Sequence, residues 1–302
     1  MAVVTPAPQG YADGPRVVTP ALLRNWALPA PGADKNASGR LLVLGGSIRS
    51  PGAVRLAGEA ALRTGAGKVA LATVETVTAG LGPLFPEAAL VPLRADDVGS
   101  IDVDRAEEII EHVQEAEVLL AGPGLVDPQH AVTLLDRILA KTDATLVLDA
   151  LGSAFVTEHP EGLHHLDGRA VLTVNPEELA RTAHATDEEV GRAPLAVAAR
   201  VAARSRAVVV CGGTTKHVVT PDGEAWTVEG GGPGLAASGS GDVQSGVLAG
   251  LLARRASPAQ AAVWAGYVHA RCGERLAASI GAVGYLASEL PGQVPAVLAE
   301  LG

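Results

Sequence analysis

The chain has 302 residues, a formal net charge of -10 and 48% hydrophobic residues, with only 3% of the chain aromatic. That length admits one large α/β domain or two smaller ones, and a core of Ala, Val and Leu suits buried parallel strands covered by helices. An acidic chain without a basic stripe argues against nucleic-acid binding, no apolar run nears the roughly 18 residues of a membrane span, and two cysteines make no disulfide framework.

The opening MAVVTPAPQGYADGP lacks the charged-then-apolar order of a leader, so residues 1 to about 15 read as a loose tail. A short helix is expected over Val18 to Trp26, opening at Thr19 or Pro20. Leu41 to Leu44 is a short strand ending in Gly45-Gly46-Ser47, Val54 to Leu62 a helix stopping near Gly65, and Lys68 to Thr73 the next strand. Strand, glycine turn, helix and strand in that order describe a βαβ unit. The pattern continues with a helix over Val103 to Gln114, a strand over Glu117 to Ala121, a helix over Gln129 to Ala140 and a strand over Thr145 to Asp149. Ligands of open α/β sheets bind at the carboxyl ends of strands, so Gly45-Gly46-Ser47, Gly122-Pro123-Gly124 and Asp149 should face one crevice.

Val171 to Val174 is a further strand, and Asn175-Pro176-Glu177-Glu178 starts a helix. A helix over Ala193 to Arg204 leads to a strand over Ala207 to Cys211, and Pro221-Asp222-Gly223 turns a small hairpin between Val218 to Thr220 and Ala225 to Val228. Pro258 to Ala278 is a long helix, Tyr285 to Leu301 closes the chain, and no internal boundary splits residues 1–302, which read as a single domain.

The stretch from Glu229 to Arg254, EGGGPGLAASGSGDVQSGVLAGLLAR, carries the strongest chemical signal. Its first half is too rich in glycine for a helix or strand, and its second half has Val243, Val247, Leu248, Leu251 and Leu252 at helical spacing. A helix should therefore begin near Ser240 to Asp242. The N–H groups of Gly239, Ser240 and Gly241, with the helix dipole behind them, form an anion hole. Asp242 at its edge is placed to take a proton from a hydroxyl that attacks a phosphate. Gly246 and Gly250 suggest close packing against a neighbouring element. The plainer alternative is a glycine loop with an aspartate near the helix start.

Other side chains carry two readings. Asp149 either faces the crevice or caps the next turn, and Glu178 either orients a metal-bound water or sits where the helix dipole favours a carboxylate. His269, Trp226 and Trp264 read as core, His164-His165 as a loop, Arg200, Arg204 and Arg206 as a solvated helix face, and Cys211 and Cys272 as buried thiols. No metal site is built from protein ligands alone.

Taken together, LLVLGGS from Leu41, PGAVRLAGEAALRTGAGKV from Pro51, Pro86-Glu87, GPG at Gly122, VLDAL from Val147, NPEEL from Asn175, GGTT from Gly212 and GPGLAASGSGDVQSG from Gly232 resemble the ribokinase-like superfamily. Within it the series resembles the ADP- or ATP-dependent NAD(P)H-hydrate dehydratases, over nearly the whole chain from Lys35 onward. The resemblance implies a three-layer α/β/α fold with a mostly parallel central sheet. It also implies nucleotide-dependent dehydration of hydrated NADH or NADPH in the cytoplasm. ADP or ATP is the co-substrate, Mg2+ travels with the nucleotide, and the chain self-associates into a homo-oligomer. By position it assigns Asp242 as catalytic base. Ala53, Gly124 and Asn175, with Asp242, fall on the hydrated nicotinamide. Cys211, Gly212, Gly213, Thr214, Thr215, Gly239, Ser240 and Gly241 fall on the nucleotide, and His269 matches a histidine of the closing helix.

The chain departs from the family pattern at three places. Thr173-Val174-Asn175-Pro176-Glu177-Glu178 stands where the family has Thr-Pro-His-x-Gly-Glu, Cys211 replaces the lysine of Lys-Gly-x-x-Thr, and Gly232 replaces the asparagine of Gly-Asn-Pro-Gly. A thiol cannot neutralise phosphate as an ammonium does, and Lys216, five residues on, is the candidate substitute, although alternation from Cys211 puts it in a different local geometry. These departures keep two alternatives open: a kinase for a small hydroxylated metabolite, and a nucleotide-binding paralogue without turnover.

Overall fold

The strands are short runs rich in Val, Leu and Ala that end at turns, and the ten among the described residues join one sheet. The computed structural model describes residues 14–30 and 32–301. In chain order the strands are β1 (Arg16–Val17), β2 (Arg40–Leu44), β3 (Lys68–Val74), β4 (Ala89–Leu93), β5 (Val118–Ala121), β6 (Thr145–Asp149), β7 (Ala170–Val174), β8 (Val208–Cys211), β9 (Thr215–Val219) and β10 (Ala225–Glu229). Across the sheet they lie in the order β4-β3-β2-β5-β6-β7-β8-β9-β10-β1. β9 runs antiparallel to β8 and β10, and every other pairing among the described residues is parallel.

Side chains alternate between two apolar layers, as a strand buried on both faces requires. Leu41, Val43, Val118 and Leu120 enter one layer, Leu42, Leu44, Leu119 and Ala121 the other. Helices Gly52–Thr64, Ser240–Ala253, Pro258–Ser279 and Val294–Leu301 cover the first, and helices Pro128–Leu139, Ser153–Glu158, Pro176–Ala183 and Pro194–Ser205 the second. The result is the three-layer α/β/α architecture with a mostly parallel sheet. Connections run from β2 outward to β3 and β4 but return through β5 to β6, β7 and β8, so the winding reverses between β2 and β5. A reversal of this kind opens a crevice beyond the strand ends.

The structure refines several expected elements. Thr19 caps helix Pro20–Asn25 by accepting the Leu22 N–H, and Gly65 ends helix Gly52–Thr64 in a left-handed conformation, φ 109°. The expected helix over Val103 to Gln114 is a 3-10 segment, Val103–Ile109, followed by one short α-helix, Ile110–Glu115. Helix Glu75–Leu84 and strands β1 and β4 carry no clear sequence signal. Pro83 lies inside the helix, β1 has two residues, and Pro92 sits in β4. β4 tolerates Pro92 because it is an edge strand. The expected tail falls on residues 1–13, outside the described residues, and β1 follows almost at once.

Gly246 and Gly250 do what their spacing suggested. A Cβ on Gly246 would lie 2.2 Å from the Ala57 carbonyl oxygen, and one on Gly250 2.7 Å from that of Ala61. Helix Ser240–Ala253 is thereby seated backbone to backbone on helix Gly52–Thr64.

Candidate active site

The strand ends expected to share a crevice are packed against one another by their glycines. The Gly46 N–H donates to the Pro123 carbonyl at 2.7 Å. A Cβ on Gly122 would lie 1.9 Å from the Asp149 carbonyl oxygen, so only glycine fits there. From Asp149 onward the sheet edge opens into a cavity of about 720 Å³. Its wall includes Asp149, Thr173, Asn175, Glu178, Gly212, Gly213, Thr214, Lys216, Gly239, Ser240, Gly241, Asp242 and His269.

Helix Ser240–Ala253 points its N-terminus into this cavity. Gly239 precedes it with φ 87° and ψ -8°, a left-handed conformation that costs a side-chain-bearing residue about 1–2 kcal/mol. A side chain there would also strike Leu56, with its Cβ 2.6 Å from Leu56 Cδ1. Of the expected anion-hole donors, Ser240 is corrected: its N–H donates to the Ala237 carbonyl at 3.1 Å. The N–H groups of Gly239, Gly241 and Asp242 have no acceptor among the described residues, so two of the expected donors are free and Asp242 takes the place of Ser240. The Ser240 side chain is turned the other way. Its hydroxyl hydrogen-bonds His269 Nε2 at 2.9 Å, while His269 Nδ1 is buried without a partner.

Burial sets the electrostatics. Asp242, partly buried, is raised to about 6 by desolvation. Asp149, 7% exposed, is raised to about 7, first by desolvation and then by the charge of Asp242, against the Thr173 hydroxyl that donates to it at 2.6 Å. It makes no cap to the following turn, so the crevice reading of Asp149 holds. Ala150 beside it lines the cavity with φ 49°, a strained conformation for alanine. His269 is lowered to about 3 by burial, with Lys216 adding to the effect, and stands neutral.

Asn175 and Glu178 cap one another, which is the helix-start reading of Glu178. The Asn175 side chain accepts the Glu178 N–H at 2.8 Å and Glu178 Oε2 accepts the Asn175 N–H at 2.9 Å, a reciprocal cap on helix Pro176–Ala183. Both also line the cavity.

The remaining candidates lie elsewhere. Ala53 and Gly124 are neighbours at the Gly46 turn, where a Cβ on Gly124 would stand 2.9 Å from that of Ala53, but neither lines this cavity. Cys211 is 1% exposed in the far apolar layer, and Thr215 also stands outside the cavity wall. The cation on the cavity wall is Lys216, the residue that the sequence offers as a substitute for the missing lysine. Gly230 and Leu235 line the wall through a loop whose Gly231 N–H is held by Glu274 at 3.2 Å, a partner 43 residues away that no local pattern announces. Among the described residues no group of three or more His, Cys, Asp or Glu is placed to hold a metal ion.

A reversing parallel sheet with a glycine turn, a helix N-terminus and an aspartate at the crevice defines a ribokinase-like protein. A ribokinase-like superfamily protein from Enterococcus faecalis has the same fold, with a TM-score of 0.81 over 97% of this chain and 98% of its own at 24% identity. Residues 41–295 match the family model described as NAD(P)H-hydrate dehydratase, and the chain belongs to that family. It is 41% identical over 291 residues to the ADP-dependent (S)-NAD(P)H-hydrate dehydratase of Xanthomonas campestris, covering 95% of this chain and 98% of that one. The crystal structure of the ADP/ATP-dependent NAD(P)H-hydrate dehydratase of Bacillus subtilis, co-crystallised with ATP and Mg2+, aligns with a TM-score of 0.80. The alignment is at 26% identity and covers 96% of this chain and all of that one, 100%. The chain spans about half, 50%, of the bifunctional NAD(P)H-hydrate repair enzyme of Moorella thermoacetica, to which it is 32% identical.

Proposed function

We propose that the protein restores NADH or NADPH from the hydrated forms by nucleotide-dependent dehydration, with ADP as the phosphoryl donor. The observation that carries the reading is Asp242 beside the free N–H groups of Gly241 and its own backbone, on the wall of a cavity large enough for a nucleotide. Family membership and 41% identity to an ADP-dependent relative support it.

With its proton affinity near pH 6, Asp242 is largely ionised at neutral pH and can accept the proton of the substrate hydroxyl. The hydroxyl oxygen then bonds to the terminal phosphorus as the bond to the departing nucleotide breaks. Charge developing on the phosphoryl oxygens is met by the N–H groups of Gly239, Gly241 and Asp242, oriented before the reaction begins. Phosphate next leaves carbon, a proton leaves the neighbouring carbon, and the ring double bond re-forms. Ala53, Gly124 and Asn175 bracket the nicotinamide in this reading. Mg2+ enters with the nucleotide in this reading, since no three of the described acidic or histidine side chains are placed to hold an ion by themselves. The ion supplies charge neutralisation of the phosphates. The same reading makes the chain one domain, cytoplasmic and self-associating; no helix of the described residues is long and apolar enough to cross a membrane.

Purified protein given hydrated NADH, ADP and Mg2+ should recover the absorbance of the reduced nicotinamide. Asp242→Asn should lose activity by a factor on the order of 10² to 10⁴. The wild-type rate should fall as pH drops below about 6, where Asp242 takes up its proton. Near-normal turnover in Asp242→Asn would remove the assignment.

A further inference from the structure

Resting on the function proposed above, we infer that Lys216 is the fixed cation that neutralises the phosphate chain of a nucleoside diphosphate in this cavity. Lys216 is 5% exposed, yet its side chain makes no hydrogen bond or ion pair with any described residue. The stem is buried while the ammonium is not among the sealed, unpartnered polar atoms of the described residues, so it reaches the cavity, where an anionic ligand would pair it. Among the described lining residues Asp149, Glu178 and Asp242 are acidic, His269 is neutral, and Lys216 is the one cation.

Its path through the fold leads to the anion hole. Lys216 pairs with Val228 in the β9–β10 ladder and faces the layer of helices that includes Ser240–Ala253 and Pro258–Ser279. Its stem crosses helix Pro258–Ser279 at Gly266, where an added Cβ would stand 3.7 Å from Lys216 Cδ. One turn further along that helix His269 binds Ser240, the first residue of the helix that carries the hole. Cys211 lies in the opposite layer, so the charge enters from β9 and not from the end of β8.

The titratable groups whose charge is coupled to Lys216 are His269 and Glu274, both from helix Pro258–Ser279; Val228 is its neighbour in β10, and Asp149, Glu178 and Asp242 share the cavity wall with it. Glu274 is already engaged, by the Gly231 N–H through Oε1 and by Arg271 through Oε2. Burial lowers Lys216 to about 8, with Glu274 opposing the shift, so the ammonium is charged below that pH and lost above it. Nucleotide affinity should follow the same course.

The test is calorimetric titration of ADP with Mg2+ into wild type, Lys216→Met and Lys216→Gln at pH 7 and pH 9, with melting curves of each protein without ligand. Wild type should bind roughly tenfold more weakly at pH 9 than at pH 7. Both variants should bind at least about tenfold more weakly than wild type at pH 7 and show no such pH dependence. Their unliganded melting temperatures should equal or exceed that of wild type, since a largely desolvated charge without a protein partner has been removed. Wild-type affinity in either variant overturns the inference and leaves the proposed function standing. Loss of folding in both variants overturns it too, by making Lys216 a structural residue. A wild-type protein that binds no ADP brings down the proposed function and this inference with it.

Discussion

Gly241 and Gly246 occupy one helix, five positions apart, and alanine at each should have opposite consequences. An added Cβ on Gly241 meets no heavy atom within 4 Å, and its φ is not in the left-handed region. Gly241→Ala should therefore stabilise the unliganded protein by up to about 1 kcal/mol, the ordinary preference of a helix for alanine. In a chain of this size that raises Tm by a few degrees, about 2–4 °C. The methyl group would stand at the mouth of the anion hole, keeping a phosphate from the N–H groups of Gly241 and Asp242. A hydrogen bond to a charged group contributes about 1.5–3 kcal/mol, so losing even one weakens ADP binding by roughly tenfold to a hundredfold. Gly246→Ala is the control. Its Cβ would fall 2.2 Å from the Ala57 carbonyl oxygen, so the two helices must separate. The expected cost is about 1–3 kcal/mol, with Tm falling by several degrees. Melting curves and ADP titrations on both variants decide the matter. A Gly241→Ala protein that binds ADP as wild type does refutes the anion-hole geometry.

Two further outcomes follow from the cavity wall. Asp149 has a folded-state proton affinity near pH 7, against 3.8 for a free carboxyl, so its stabilising contribution is full below about pH 4 and lost as pH rises through about 7. Asp149→Asn should accordingly raise Tm more at pH 8 than at pH 5, and a uniform shift across that range would contradict the raised value. Asn175→Ala removes the reciprocal cap on helix Pro176–Ala183, which should lower stability by about 0.5–2 kcal/mol in melting curves. If Asn175 also touches the nicotinamide, KM for the hydrated substrate rises while KM for ADP is unchanged.

The parts of the fold legible in the sequence are those whose signals are local. The run Leu41 to Leu44 before a glycine turn, Thr19 before Pro20, and the helical spacing from Val243 to Leu252 each determine their element within a few residues. β1 and β4 were not legible because a two-residue strand and an edge strand containing Pro92 draw their pairing from partners elsewhere in the chain. The candidate site shows the same division. Asp242 and the glycine turn were readable because hole and aspartate share one segment. The burial of Lys216 was not readable, since it depends on Gly266 and Val228 leaving room for its stem. Cys211 likewise matches a motif by position, while the alternation of β8 sends its side chain into the other layer.

The seating of Gly246 on Ala57 and Gly250 on Ala61 also has a consequence for motion. A joint made by backbone against backbone has no side-chain rotamers to flex, so helices Ser240–Ala253 and Gly52–Thr64 must move as one body. The first of these opens at the anion hole, and the second opens beside Ala53 and the Gly46 turn. The span between those two openings is thus a fixed gauge built into the molecule. The loop from Gly230 to Leu235, which also lines the cavity, lies outside that joint and packs on Ala270 and Tyr285 instead.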